Sequence, residues 1–220
     1  MMQLSTGPAK ASFCGSDIAT SKGAGVKRIL VSIGVIIAAT FVVPLVSSAS
    51  TISQAKLTSE LLVKSQMPAG WTVSFTTSEG VGCVHDLLEP TGVTQKRTAQ
   101  AYFLGTVDDL PRFDEKIATY SNTKSAYKKV IATINACHTL TGTFDGLAVT
   151  GSVTPMSFAH FGNASSAYAM TVSDARGTLH YDYLIVRKGS VLGAFLEGSY
   201  PEVIPSEFQS LVSAGVKKLT

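Results

Sequence analysis

Two short stretches place cysteine beside histidine: Cys83-Val84-His85 and Cys137-His138. Together they offer two thiolates and two imidazoles, the ligand set of a tetrahedral zinc site. The spacing argues otherwise. A C-x-H step and a C-H step are tighter than the C-x₂₋₄-C and H-x₃₋₅-H pairs that usually wrap one ion. In an oxidising compartment a thiol pair also tends to become a disulfide. Of the three cysteines, Cys14 lies near the N-terminus and only Cys83 and Cys137 lie beyond residue 49. The expectation is therefore a Cys83–Cys137 disulfide, with His85 and His138 as ordinary residues beside it. No metal and no cofactor is expected.

The remaining motifs that could carry chemistry are poorer. Ser121-Asn122-Thr123-Lys124 matches S-x-x-K, Ser173-Asp174-Ala175 half-matches S-D-N, and Lys188-Gly189-Ser190 resembles K-T-G. That order suits a penicillin-binding serine site. However, S-x-x-K recurs at Ser53 to Lys56, and the second and third elements are imperfect. There is no G-x-S-x-G, P-loop or dinucleotide fingerprint. His160 and His180 have no spacing partner. The acidic pairs Asp108-Asp109 and Asp114-Glu115 read as charges that complement a helix start. Tyr168, Tyr181 and Tyr183 read as cross-strand packing. No catalytic residue is assigned, and the chain is read as a non-enzyme.

Charge locates the chain relative to a membrane. Residues 29–46, ILVSIGVIIAATFVVPLV, contain no charge and follow Lys27 and Arg28. Residues 1–28 read as a basic cytosolic leader, which sets the N-terminus inside. Ser47-Ser48-Ala49 is a small-residue site of the kind signal peptidase cuts. An 18-residue apolar run, in turn, approaches the roughly 20 residues that span a bilayer. Residues 29–49 are thus a signal peptide or a transmembrane anchor, and residues 29–46 would hold the chain in the membrane if uncleaved. Of 18 basic and 15 acidic residues, the first 49 take four and one, leaving fourteen of each. A neutral domain lacks the phosphate-neutralising surface that nucleic-acid binding requires. The expected location is extracytoplasmic, secreted or anchored on the outer face of the cytoplasmic membrane.

The elements that would position these residues can be read from periodicity. Residues 50–56 read as a polar linker and 57–220 as one domain. Leu57, Leu61 and Leu62 form a helical stripe, stopped at Pro68 and Gly70. Trp71, Val73 and Phe75 alternate as a strand. Glu79-Gly80-Val81-Gly82 is a loop that delivers Cys83, and Ala99 to Val107 a strand. Asp109 to Tyr120 reads as a helix with Pro111 in its first turn. Residues 123–138 read as a helix with Tyr127, Val130, Ile134 and Cys137 on one face. Strands then recur between tight turns at Asp145-Gly146, Asp174 to Gly177 and Lys188-Gly189, an antiparallel pattern. Pro205-Ser206-Glu207 opens a last helix. The fold class is α+β, an antiparallel sheet with helices packed on one face.

Several of these features belong together. A helix ending in Met67-Pro68-Ala69-Gly70-Trp71, a loop Cys83, Ala101-Tyr102-Phe103 on a strand, a helical Cys137 and the hairpin Val186-Arg187-Lys188-Gly189 resemble actinobacterial exported sensor-type domains. The resembling group is the extracellular domain of PknH-type mycobacterial receptor kinases, over roughly residues 57–219. The resemblance implies an α+β domain in the cell envelope with a cleft for a small-molecule or envelope ligand. The sequence departs from that group in having no kinase domain and one cysteine pair where two are common. The functional expectation is an exported, non-catalytic ligand-binding or sensor-like domain. A small exported hydrolase and an envelope scaffold are the alternatives.

Overall fold

The computed structural model describes residues 52–74, 81–107, 109–144 and 146–220. The leader, the apolar segment 29–49, Phe75, Glu79, Gly80, Asp108 and Asp145 lie outside the described residues. Among the described residues there are three α-helices: α1 Gln54–Ser59, α2 Thr123–Asn135 and α3 Pro205–Lys218. Eight strands form one sheet: β1 Thr72–Ser74, β2 Gln95–Val107, β3 Leu110–Tyr120, β4 Thr139–Phe144, β5 Leu147–Met156, β6 Ala164–Asp174, β7 Gly177–Lys188 and β8 Val191–Ser199. Their order is β1-β2-β3-β8-β7-β6-β5-β4, and every neighbouring pair is antiparallel. The strands after α2 form the meander that the short turns imply.

Two expectations are corrected. Residues 110–120 form strand β3, not a helix. Phe113 and Ile117 are four apart and mimic a helical stripe, but they also fit a period of two. Phe113, Glu115 and Ile117 face one side of the sheet. Ala118 and Tyr120 face the other, and all five are buried. Asp114 and Glu115 are therefore buried on a strand and do not complement a helix start. Asp109 occupies the β2–β3 turn with φ 61°.

The second correction concerns the layers. Helices cover both faces of the sheet, not one. Along β8, Val191 and Phe195 join the cluster that contains Leu57 of α1 and Phe208, Leu211 and Val212 of α3. Leu192 and Ala194 join the cluster that contains Ala126, Val130 and Ile134 of α2. β7 divides likewise, with Leu184 and Val186 on the α3 side and Tyr183 and Ile185 on the α2 side. This accounts for the uninterrupted apolar runs Tyr183 to Val186 and Val191 to Phe195, since a strand covered on both faces has no polar side.

Local signals set the helix limits. Ser53 caps α1 by accepting from the Lys56 N–H at 3.2 Å, so the helix starts inside the stretch read as linker. Asn122 caps α2 through the Ser125 N–H at 2.9 Å. Pro205 stands in the first turn of α3, as the sequence suggests. Lys188 Nζ donates to the Val216 carbonyl at 2.9 Å and satisfies the far end of α3. Tyr168 and Tyr183 are register partners buried under α2, with Tyr181 beside them. The expected tyrosine packing is present.

Candidate functional site

Where β5 ends, a gap opens in the sheet. β5 pairs with β6 as far as Met156 opposite Ala167. β6 begins three residues before Ala167, at Ala164, so Ser165 and Ser166 lie beyond the end of β5. The chain from residue 157 to 163 turns away from the sheet instead. This departure leaves a cleft of ≈ 500 Å³ between that connection, the start of β6 and the C-terminal half of α2. Ile131 and Asn135 line it from α2, Met156, Phe158 and Ala159 from the connection side, and Ser165, Ser166 and Tyr168 from β6.

Each wall is fixed independently. The connection is anchored by Phe158, whose ring lies 5.2 Å from Phe208 of α3 and 6.2 Å from Phe161. The Phe161 N–H donates to Ser165 Oγ at 3.1 Å, and the Asn163 N–H donates to the Arg187 carbonyl at 2.8 Å. Gly162 makes this approach possible. Its φ is +62°, and a Cβ there would stand 2.6 Å from the Arg187 oxygen. The start of α2 is held by Thr123 Oγ1, which donates to the Ser190 carbonyl at 2.9 Å.

The other end of α2 is held by the predicted bridge. Cys83 and Cys137 are bonded, with Cα atoms 5.9 Å apart, inside the usual disulfide range. Cys137 is buried beside Ile134, one residue beyond the helix cap. The bridge thus ties the end of α2 that carries Asn135 to the turn Gly82–Val84. With both sulfurs so engaged, the Cys₂His₂ tetrad does not form. Among the described residues no group of three or more His, Cys, Asp or Glu is placed to share an ion.

The polar groups in the cleft are uncharged and partly committed. The Tyr168 hydroxyl donates to Asn135 Oδ1 at 2.8 Å. Burial holds this phenol above its usual range, with a smaller opposing effect from Ser166, so it stays protonated and remains a donor. Tyr127 Oη and Ser166 Oγ are 3.0 Å apart. With its oxygen accepting from Tyr168, the Asn135 amide keeps its two N–H donors to offer. Every lining residue is uncharged.

The sequence-derived candidates scatter. His85 Nδ1 lies 2.7 Å from Asp86 Oδ2 at the surface. His180 lies on β7 opposite Ser199. His160 stands 3.4 Å from Ser165 Oγ at the cleft. That separation exceeds the roughly 2.6–3.2 Å of a working nucleophile and base. Ser173 and Ser190 lie at opposite ends of β7, since Ser173 pairs with Thr178 and Ser190 follows Lys188. The penicillin-binding constellation is therefore not assembled. Conversely, Ile131, Asn135 and Ser166 carried no sequence signal. In the sequence Tyr168 reads as part of a packing patch.

No family model and no curated protein matches the chain. Among solved structures, the extracellular domain of PknH from Mycobacterium tuberculosis aligns with a TM-score of 0.60 at 12% identity. The alignment covers 76% of this chain and 96% of that one. The chain shares the fold of the PknH extracellular domain. At this identity the agreement concerns architecture, and it bears out the resemblance read from the cysteine positions and the Val186–Gly189 hairpin.

Proposed function

We propose that residues 57–220 form an exported, non-catalytic, sensor-like domain whose ligand occupies the cleft between α2, β6 and the β5–β6 connection. The observation that carries this reading is the lining. Apolar side chains (Ile131, Met156, Phe158, Leu184) share the cleft with the Asn135 amide and the hydroxyls of Ser157, Ser165 and Ser166, and no charged group is present. Such a mixture of apolar walls and a few polar groups suits a small molecule. Desolvating a charged ligand here would go uncompensated, so the ligand class is neutral, with an apolar body and hydroxyl or carbonyl groups. The PknH fold supports placement in the cell envelope, outside the cytoplasmic membrane, and the uncharged segment 29–46 supports export.

Native mass spectrometry of the chain purified from its own host tests this directly. A stoichiometric neutral adduct is expected, and Ile131→Trp, which fills the cleft, should abolish it. An adduct retained by that variant would place the ligand elsewhere. No adduct, together with no saturable shift of the Asn135 side-chain amide on titration with octyl glucoside below its micellar concentration, would refute the reading.

A second reading, a small hydrolase, has one observation in its favour: Ser165 beside His160 at the cleft. It requires Ser165→Ala to abolish cleavage of a neutral chromogenic ester. A scaffold role has less support, because the exposed large apolar residues Val63, Val73, Val107, Tyr200 and Ile204 are distributed over several elements.

A further inference from the structure

The α3 face of the sheet contains carboxyl groups where an apolar core is expected. Glu197, near the end of β8, is 1% exposed. Asp182 of β7 is its direct cross-strand partner, and Phe113 of β3 lies opposite on the other side. Glu207, in the first turn of α3, is set close enough to interact with it electrostatically. Glu197 Oε2 and Glu207 Oε1 are both buried, and neither has a hydrogen-bond partner among the described residues. Three acids thus meet where a helix start seats on the sheet.

A buried carboxylate without a partner is costly, and two like charges a short distance apart cannot both ionise cheaply. The groups facing Glu197 supply no relief. β7 offers Asp182, with His180 two residues away on the same face, opposite Ser199 and not among the groups that act on Glu197; α3 offers Glu207, and β3 offers the apolar Phe113, with Glu115 two residues farther along that face. Lys218 interacts with Glu115, not with Glu197. Burial first, then Glu207 and Asp182, raise Glu197 to about 8, and burial raises Asp182 as well.

We infer that Asp182, Glu197 and Glu207 form a proton-holding latch that seats the first turn of α3, and that through Phe208 and Phe158 this latch sets the wall of the cleft. The connection is short. Phe208 follows Glu207 directly, is fully buried, and its ring lies 5.2 Å from Phe158, which lines the cleft. A proton on Glu197 lets the carboxyl sit unpaired on the sheet. Its loss places several negative charges beneath the helix start; the helix dipole attracts them, but by less than the water and hydrogen bonds they lack, so release of that turn is favoured.

The direction follows from linkage. The seated state holds Glu197 with a raised affinity for its proton, and in an unseated, hydrated state the group returns to its ordinary range. Seating is therefore complete below roughly pH 4.5 and is lost as the pH rises through about 8. For a one-proton event, each pH unit between those two values raises the ratio of unseated to seated about tenfold, and above about 8 the ratio levels off. The coupling to ligand rests on the cleft reading above, but the latch does not.

Three measurements on the full-length chain separate them. Amide hydrogen exchange of residues 207–211 is compared between wild type and Glu197→Gln at matched pH, which cancels the intrinsic rates. Protection in the wild type, relative to the variant, should fall about a hundredfold from pH 6 to pH 9, nearly all of it below pH 8. Side-chain carboxyl NMR should show the Glu197 midpoint above 7. If Glu197→Gln does not fold, Glu207→Gln replaces it, and should lower that midpoint. A midpoint below 5.5, or wild-type protection that matches the variant at both pH values, overturns the latch. Octyl glucoside binding, followed at the Asn135 amide, should weaken from pH 6 to pH 9 in the wild type and not in Glu197→Gln. Binding that is indifferent to pH overturns the coupling alone. No binding at any pH overturns the cleft reading, and the coupling with it, and leaves the latch to the exchange data.

Discussion

Opening the Cys83–Cys137 bridge is the perturbation with the largest expected effect at the least cost to packing. The bonded residues are 54 apart in sequence. In the chain-entropy model, closing a loop of that size contributes about 4 kcal/mol by restricting the unfolded chain. That is a large part of the roughly 5–15 kcal/mol that separates folded from unfolded domains. For a domain of this length about 1 kcal/mol moves Tm by 2–4 °C, so reduction should lower Tm by roughly 8–16 °C. Reduction retains both side chains, and Cys137 stays packed beside Ile134, so the shift isolates the bond. The assay is thermal unfolding with and without reductant, in a Cys14→Ser background. No thiol should react before reduction in the denatured chain, and two should react after it. The doubly substituted Cys83→Ala/Cys137→Ala chain should melt near the reduced wild type and ignore reductant. Because the bridge holds the helix end that carries Asn135, reduction should also weaken probe binding in the cleft. Two reactive thiols before reduction, or a Tm that falls on chelation instead of reduction, would refute this account.

Other outcomes follow from the α3 face. Gly215→Ala would place a Cβ 2.6 Å from Phe195 Cε1 and 3.1 Å from Glu115 Oε1. Overpacking of this kind should cost about 1–3 kcal/mol in denaturant unfolding. Glu115 is fully buried, accepts from the Leu62 N–H at 2.6 Å, and is raised from 4.5 to about 7, chiefly by burial, against opposing effects from Leu62 and Lys218. The folded state therefore keeps this proton longer than the unfolded one. Stability should fall with rising pH between about 4.5 and 7, at up to roughly 1.4 kcal/mol per pH unit. Glu115→Gln should remove the Glu115 share of the slope between about 4.5 and 7, leaving the decline attributed to Glu197, which runs from about 4.5 to 8.

Much of the frame was legible in the chain because it rests on local physics. The short turns enforce antiparallel neighbours, the apolar face of residues 123–135 makes α2, and Pro205 with Phe208, Leu211 and Val212 makes α3. Two cysteines beyond the apolar segment were enough to propose the bridge. The segment 110–120 reads as a helix in the sequence because Phe113 and Ile117 satisfy both periods, and only pairing with β2 and β8 selects the extended form. The second helical layer is illegible in the sequence for a related reason. Consecutive apolar residues in β7 and β8 say that both faces are covered, but not by what.

The cleft and the carboxyl latch lay beyond sequence reasoning altogether. Asn135, Ser166 and Phe158 are brought together by the point at which β5 ends and by the bridge that fixes α2. Asp182, Glu197 and Glu207 come from two strands and a helix. In the sequence each is one acid among fifteen, most of which sit in water. Sequence by itself determines which segments extend, coil or turn, because those choices depend on neighbours a few residues away. The register of β7 against β8 and the seating of α3 depend on packing over the whole sheet. Only that packing decides which polar groups lose their water and acquire a function.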